Sequence, residues 1–193
     1  MIKVRALILG LLYCSLVSFR LTAQVLALKT NVLADAIVSP NANLEVKLGS
    51  RFTLDVSGHY YPFSSKESFH RWKHWLLQPE FRFWFCKPFA GHFLGVYTLA
   101  GEYNIAGRKL PFGWYKVTRS SRYEGFVMGA GFSYGYQWIL SPRWGMETEI
   151  GAGYVYADYS RYRCPHCGEK MAEGHKNYLG PTKVAVSIVY LLK

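Results

Sequence analysis

The stretch that decides the fold is residues 124–158, EGFVMGAGFSYGYQWILSPRWGMETEIGAGYVYAD. It contains two runs of alternating side-chain character, separated by Leu-Ser-Pro-Arg at residues 140–143. Such alternation predicts β-strands because successive side chains point to opposite faces of a strand. One face is apolar, as at Phe132 and Ile150, and the other is small or polar, as at Ser133 and Glu149. Both runs exceed the ~9–11 residues of a tilted transmembrane strand. We interpret them as one hairpin of a membrane β-barrel, apolar outside and polar inside.

The same alternation predicts six further strands along the chain. They are expected at residues 25–33, 42–48, 51–60, 75–86, 92–105 and 178–192. The links at Gly49, Pro88 and Pro142 are short, whereas those near 34–41, 61–74, 106–123 and 159–177 are long. Outer-membrane barrels show this alternation of short periplasmic turns and longer extracellular loops. The predicted fold is therefore all-β: an eight-stranded antiparallel up-and-down transmembrane β-barrel with both termini in the periplasm.

The first 23 residues have the pattern of a secretory signal peptide. Lys3 and Arg5 precede an apolar core, and a small residue, Ala23, precedes the expected cleavage site. The apolar core is short for a transmembrane anchor, which needs about 20 residues. A lipoprotein signal at Cys14 is disfavoured because Tyr13 is bulky where such signals have a small residue. We expect a signal peptide at 1–23 and one outer-membrane barrel domain at 24–193.

The composition agrees with a barrel and limits the partners. Aromatic residues make up 17% of the chain, glycine occurs 18 times and the formal charge is +11. Aromatic girdles and small interior residues give this balance in membrane barrels. A basic chain can indicate nucleic-acid binding, but an exported protein does not meet nucleic acid. Basic loop residues such as Arg122, Arg161 and Lys176 are either simply solvated or contact outer-membrane lipid, lipopolysaccharide, glycans or surface-fibre components.

Charged residues recur at positions that the alternation places inside the barrel. An eight-stranded barrel is narrow and is filled by side chains, and buried charges are costly unless they are paired. We expect a salt-bridged plug that gives rigidity rather than a proton or ion path. Glu147 and Glu149 resemble an acid/base pair, but neighbouring cations are expected to neutralise them. The predicted network comprises Lys29, Glu45, Lys47, Asp55, Glu80, Arg82, Glu102, Glu147, Glu149 and Lys183.

Cys164 and Cys167 form a C-x-x-C motif in the last long link. This spacing is compatible with a disulfide in an oxidising compartment, with half of a zinc site or with a thiol–disulfide redox centre. A zinc site needs a second cysteine pair, and redox chemistry needs a cysteine at a helix N-terminus within a βαβ pattern. Neither feature occurs here, so we favour the disulfide, followed by the metal site, and predict neither a metal nor a cofactor.

Two alternatives to a non-enzymatic barrel remain open. Some small outer-membrane barrels are lipid A acylases or deacylases with a Ser/His pair, and this chain has Ser57, His59 and His74 with further serines and a histidine at 64–70. Nucleophilic catalysis needs an oriented base, and the sequence singles out no such pair. The other alternative is a soluble lipocalin-like barrel, which needs an apolar lumen. We predict a non-enzymatic envelope protein that acts through its basic and aromatic loops as a monomer.

Three segments carry a family resemblance over the whole mature chain. They are LKTN at 28–31, the segment 159–168 with its C-x-x-C-G, and GPTK at 180–183 leading into SIVYL at 187–191. The chain is similar to an uncharacterised family of small Gram-negative outer-membrane barrels, known only as a domain of unknown function. Its architecture resembles the eight-stranded adhesion and membrane-stability barrels. Such barrels often end in an aromatic residue, whereas this chain ends Tyr190-Leu191-Leu192-Lys193. The resemblance implies no activity.

Overall fold

A computed structural model describes residues 25–36, 39–61, 71–106, 122–162 and 170–192. These residues form β1 (Leu26–Asn31), α1 (Val32–Ala36), β2 (Asn41–Lys47), β3 (Phe52–Tyr61), β4 (Arg71–Trp84), β5 (Gly91–Ala106), β6 (Arg122–Ile139), β7 (Trp144–Tyr162) and β8 (Lys170–Leu192). Within these ranges, no helix combines the length and apolarity needed to cross a membrane. The predicted signal peptide at 1–23 and the pair Cys164 and Cys167 lie outside the described residues.

The eight strands form one closed antiparallel barrel. Each strand pairs with the next along the chain, and β8 pairs with β1. At this closure Leu26 lies opposite Leu192, and Asn31 lies opposite Ser187. The predicted eight-stranded, up-and-down, antiparallel fold is confirmed.

Three short connections lie at one end of the barrel, which we call the turn end; the opposite end is the loop end. The Leu48 amide donates to the Phe52 carbonyl at 2.9 Å, and the Leu140 amide donates to the Trp144 carbonyl at 2.9 Å. In the connection between β4 and β5, Phe89 adopts a φ of 66°. This conformation is unfavourable for a bulky residue. The Phe89 ring is buried and lies 6.1 Å from the Trp84 ring, so packing compensates for the backbone.

The two faces of the sheet differ as the alternation predicts. On the outer face, Phe132 is 73% exposed and Phe81 is 46% exposed. On the inner face, Glu80 and Glu147 are 1% and 2% exposed. Apolar side chains outside and ionisable side chains inside reverse the usual arrangement of a water-soluble domain.

The prediction of which β5 residues face the lumen was wrong. Glu102 was expected inside, but it lies on the outer face. Phe93 and Tyr97 are buried in the lumen, whereas Glu102 is exposed and accepts a hydrogen bond from Trp75 Nε1 at 3.1 Å. Alternation does not decide this strand because both of its faces carry large apolar residues. The register with β6 decides which β5 residues face inward. Phe93 lies opposite Gly135 and Tyr97 lies opposite Gly131, so these glycines leave room for the inward rings.

The strands at the loop end also differ from the predicted boundaries. The β7–β8 ladder continues to the pair Tyr162 and Lys170, so most of the predicted loop 159–177 is strand. β1 ends at Asn31, where the chain turns into α1 instead of continuing to residue 33. A register shift opposite Gly151 and Ala152 leaves Thr182 as an extra residue in β8. This bulge changes which β8 residues face inward above Lys183.

Candidate functional site

Inward carboxylates from adjacent strands form a row across the middle of the barrel. The register places Glu45 of β2 opposite Asp55 of β3, and Asp55 opposite Glu80 of β4. Like charges directly opposite each other destabilise a sheet. β7 adds Glu147 and Glu149, both at most 5% exposed. The lumen can therefore hold this row only if cations reach it.

Arg82 lies at the centre of the carboxylates and is 1% exposed. Its planar guanidinium carries five N–H donors, which suits several carboxylates at once. Its Cζ atom also lies 4.4 Å from the centre of the Phe93 ring. The shortest nitrogen–oxygen distances are 2.8 Å to Glu80, 2.8 Å to Glu149, 3.1 Å to Asp55, 3.1 Å to Glu147 and 3.2 Å to Glu45. One side chain thus joins all five carboxylates.

Two lysines on the neighbouring strands β1 and β8 complete the cluster. Lys29 of β1 pairs with Glu45, with Asp55 at 3.2 Å and with Glu147 at 2.7 Å. Lys183 of β8 pairs with Glu80 and with Glu149 at 2.9 Å. We call this set the lumen network: Lys29, Glu45, Asp55, Glu80, Arg82, Glu147, Glu149 and Lys183.

The lumen network holds five carboxylates and three cations, so hydroxyl donors are needed as well. Thr53 donates to Glu45, and Trp84 Nε1 donates to the Thr53 hydroxyl at 2.9 Å. Ser133 donates to Glu80 Oε1 at 2.9 Å. Thr53 thus reaches Glu45 Oε1, whereas the cations bind Oε2 of the same carboxylate. Ser133 shares Glu80 Oε1 with Arg82 Nε. Such neutral donors help a buried ionic cluster to persist, although Asp55 Oδ1 has no hydrogen-bond partner among the described residues.

The structure brings eight of the ten predicted lumen residues together and leaves two apart. Glu102 lies on the outer face, as described above. Lys47 lies on the inner face of β2 but near the turn end, half-buried, and none of the ion pairs within the described ranges includes it. In that same part of the chain, no group of three His, Cys, Asp or Glu side chains is arranged to hold a metal ion.

Below the lumen network, an apolar layer closes the turn end. Trp84 and Phe93 are fully buried with ring centroids 4.8 Å apart. Ala27 and Val189, both fully buried, pack with Phe89. Sequence reasoning missed the inward position of Phe93, although Gly135 on the neighbouring strand was a signal for it. Rings and ion pairs thus fill the lumen from the turn end to its middle.

Above the lumen network, the loop end contains a cavity of about 540 Å³, which we call the upper cavity. One wall is polar: Asn43, Ser57 and Gln78 form a row across β2, β3 and β4. His59 and His74 line the same cavity nearer the loop end. Lys183 and Glu149 lie at its floor. The lumen therefore changes from charged to neutral polar side chains toward the loop end.

The opposite wall of the upper cavity is apolar and adjoins the end of β1. Leu33 and Ala34 of α1 and Val184 of β8 contribute to it. Beyond Ser187, no described strand pairs with β8 on its β1 side. Asn31 spans the start of this gap, because its Oδ1 accepts from the Val186 amide at 3.2 Å and its Nδ2 lies 3.5 Å from the Val184 carbonyl. The wall of the barrel is thus interrupted beside the cavity.

Ser39 and His74 meet at the upper cavity. Ser39 follows α1 and is 7% exposed, and its Oγ lies 3.1 Å from His74 Nε2, within hydrogen-bonding distance. His74 also stacks against Tyr61. Of the serines and histidines that the sequence offered, His74 was among the candidates, whereas Ser39 was not. No sequence pattern indicated this pairing, since 35 residues separate the two.

Comparisons with known proteins identify a family and nothing more specific. A model of the family described as "Protein of unknown function (DUF3575)" matches residues 8–192. Neither the curated proteins nor the solved structures contain a significant match to the chain.

Proposed function

The chain belongs to the DUF3575 family, and we propose that it is an outer-membrane β-barrel whose sealed lumen makes it a structural or surface-interaction protein of the envelope rather than a channel or an enzyme. The observation that carries this proposal is the reversed polarity of the sheet. Phe132, Ile150 and Val184 are 73%, 58% and 59% exposed on the outer face, while eight ionised or ionisable side chains fill the inside. A bilayer around the barrel would remove that apolar surface from water.

The strand lengths and the position of the chain ends support insertion. β4 to β8 contain 14, 16, 18, 19 and 23 residues, more than the ~9–11 that a tilted strand needs to span the bilayer. β1 begins and β8 ends at the turn end, beside the short connections. In an outer-membrane barrel this end faces the periplasm, so we propose that both termini are periplasmic.

The loop end supplies the surface for interaction. There β6, β7 and β8 carry basic and aromatic side chains in contact: Arg122 Cζ lies 4.4 Å from the centre of the Tyr162 ring, and Arg161 Cζ lies 6.0 Å from that of Tyr123. Guanidinium groups held against aromatic rings can donate hydrogen bonds to phosphate groups and to sugar hydroxyls. We propose outer-membrane lipid and lipopolysaccharide as the immediate partners, with surface glycans or fibre components as further ones.

Cell fractionation with heat-modifiable gel migration tests the proposal. We expect the protein in the outer-membrane fraction, with faster migration of the unheated sample because the closed barrel stays compact. Planar bilayer recordings on the same sample should show no steady conductance. Recovery in the soluble periplasmic fraction would contradict the membrane location and favour the lipocalin-like alternative, whereas stable conductance would contradict the sealed lumen alone.

The Ser39–His74 contact favours a second candidate function, hydrolysis or transfer of a lipid acyl group. A serine hydroxyl beside an imidazole is the minimal arrangement for nucleophilic catalysis. Labelling by a fluorophosphonate probe, compared between the parent and Ser39→Ala, tests this directly. Serine-dependent labelling together with a changed lipid A mass spectrum in a deletion strain would support the enzyme, and absence of both removes it.

A further inference from the structure

We propose that the upper cavity binds an amphiphile: one apolar chain with a small uncharged head that carries hydroxyl or amide groups. The proposal rests on the membrane location proposed above, because the ligand would enter from the outer leaflet. Its volume of about 540 Å³ falls within the ~300–1,000 Å³ typical of small-molecule sites. The lumen network also has a buried oxygen without a hydrogen-bond partner in the described ranges, Asp55 Oδ1, but in the cavity the unpartnered atoms belong to uncharged amides.

Gln78 provides the main observation for the head group. It is 5% exposed and lines the upper cavity, and its Nε2 donor has no hydrogen-bond partner among the described residues. Asn43, on the same polar row, has an Oδ1 acceptor that is likewise without a partner in this part of the chain. A buried donor or acceptor without a partner is costly, so such atoms indicate a water or ligand that binds them. A free donor and a free acceptor together match a hydroxyl or an amide, which offers both.

The charges at the floor of the cavity argue against an ionic head. Lys183 is the only lysine or arginine that lines the described cavity, and it is held by Glu80 and by Glu149 at 2.9 Å. A carboxylate or phosphate would have to compete with two existing ion pairs for this lysine. An ammonium group would meet the lysine itself and would have to compete with it for Glu149, which also lines the cavity. An uncharged head avoids both costs.

The apolar part of the ligand matches the opposite wall and the gap beside it. Leu33 and Val184 both line the cavity and are 44% and 59% exposed on the outer surface. Both residues thus lie between the cavity and the outer surface, beside Asn31, where the β1–β8 ladder ends, and we place the entrance for the ligand there, between α1 and β8. An apolar chain leaving through this gap would stay in contact with the bilayer while the head reached Gln78.

Binding of monolauroylglycerol to the refolded protein in amphipol, measured by equilibrium dialysis, tests the proposal. Laurate supplies the same chain with a carboxylate, and glycerol supplies the head alone. We expect saturable binding of one monolauroylglycerol per protein, at least tenfold weaker binding of laurate and none of glycerol. Equal affinity for laurate would overturn the uncharged head, and absence of saturable binding would assign the unpaired atoms to water.

Variants locate the binding site. Gln78→Met keeps the side-chain length but removes the donor, and it should weaken binding about 3- to 10-fold, as the loss of one hydrogen bond predicts. Ala34→Trp should fill the cavity and abolish binding. The matched control is Gln137→Met: Gln137 is also buried and has an unpartnered Oε1, but it does not line the upper cavity. If Gln78→Met and Gln137→Met weakened binding equally, the ligand would lie outside the upper cavity.

Liposome flotation of the same preparations separates the two proposals. A protein that floats with vesicles but binds no monolauroylglycerol contradicts only the ligand. A protein that does not float contradicts the membrane location and, with it, lateral entry of the ligand. Heat-modifiable migration of each variant shows whether lost binding reflects a filled cavity or a barrel that did not fold.

Discussion

The lumen has two halves, the lumen network and the upper cavity, and they bury polar groups in different ways. In the lumen network every charged side chain has at least one oppositely charged neighbour, and Arg82 alone contacts five carboxylates. In the upper cavity Gln78 and Asn43 keep atoms without partners. An ion-paired group is hard to replace, because its removal leaves charges buried and unpaired, and this holds although Asp55 Oδ1 has no hydrogen-bond partner in the part of the chain that the structure describes. Incomplete pairing makes a group dispensable for stability and available to a ligand.

Removal of Arg82 should have the largest effect on stability. Arg82→Met leaves five buried carboxylates with two lysines, and breaking a buried ionic contact by deleting one partner costs about 3–5 kcal/mol. This is a large part of a typical free energy of unfolding, about 5–15 kcal/mol. Urea unfolding of the refolded barrel, followed by tryptophan fluorescence, measures it. The control is Arg143→Met on the exposed turn after β6, where we expect a change within about 0.5 kcal/mol. Equal stability of the two variants would mean that the lumen network adds nothing to the fold.

The location of this network was predictable, but its geometry was not. Alternation in β6 and β7 placed Glu147 and Glu149 inside, and the same rule placed Lys29, Glu45 and Arg82 there. No sequence pattern reveals that Arg82 reaches five carboxylates, because that depends on how six strands stagger around the barrel. Alternation failed at Glu102 because both faces of β5 carry large apolar residues. The decisive information lay on another strand, in the glycines of β6 that face Phe93 and Tyr97.

The upper cavity was not predicted from the sequence. Its apolar wall depends on α1, which replaces the last two residues of the first predicted strand and the start of the predicted loop after it. Its floor depends on the β8 bulge at Thr182, a single extra residue that the alternation does not show. Ser39 lies between α1 and β2 whereas His74 lies in β4, and only the pairing of β2, β3 and β4 brings them to 3.1 Å. Sites assembled by tertiary contacts of this kind leave no periodic signal in the sequence.

Lys183 belongs to the lumen network and also lines the upper cavity. Its removal therefore tests whether water from the cavity reduces the cost of an unpaired charge. Lys183→Met deprives Glu80 and Glu149 of one cation while Arg82 remains, and hydrogen bonds between charged groups contribute about 1.5–3 kcal/mol. The lysine side chain is 11% exposed, so water entering from the cavity should hold the loss below that of Arg82→Met. The same urea titration measures it. Lys170→Met, which removes a solvent-exposed ion pair with Glu173, should change stability by less than about 1 kcal/mol. A loss larger than that of Arg82→Met would contradict Arg82 as the centre of the network.

Gly131 tests the packing between the two halves. A Cβ atom on Gly131 would lie 2.5 Å from the Tyr97 hydroxyl and 2.5 Å from the Ala152 carbonyl oxygen. The carbonyl belongs to the backbone and can move little, so the new methyl group of Gly131→Ala should displace Tyr97 instead. The free energy of unfolding should fall by about 1–3 kcal/mol, as overpacking causes. Gly49→Ala is the control, since its Cβ would have no neighbour closer than 3.9 Å. An unfolding midpoint that moves equally in both variants would show that Tyr97 is not closely packed against Gly131.

The smallest effect is expected in the polar row of the upper cavity, and it decides whether the comparison holds. Gln78→Met removes an Nε2 donor that has no partner among the described residues and keeps the volume of the side chain. Replacing an unpaired polar group by an apolar one of similar shape is near neutral or stabilising, so the free energy of unfolding without ligand should fall by no more than about 0.5 kcal/mol. Monolauroylglycerol should then stabilise the parent barrel more than Gln78→Met, because a ligand that binds only the folded state raises its stability in proportion to its affinity. A ligand-free loss approaching that of Arg82→Met would mean that Gln78 is paired in the folded protein, and the contrast between the two halves of the lumen would disappear.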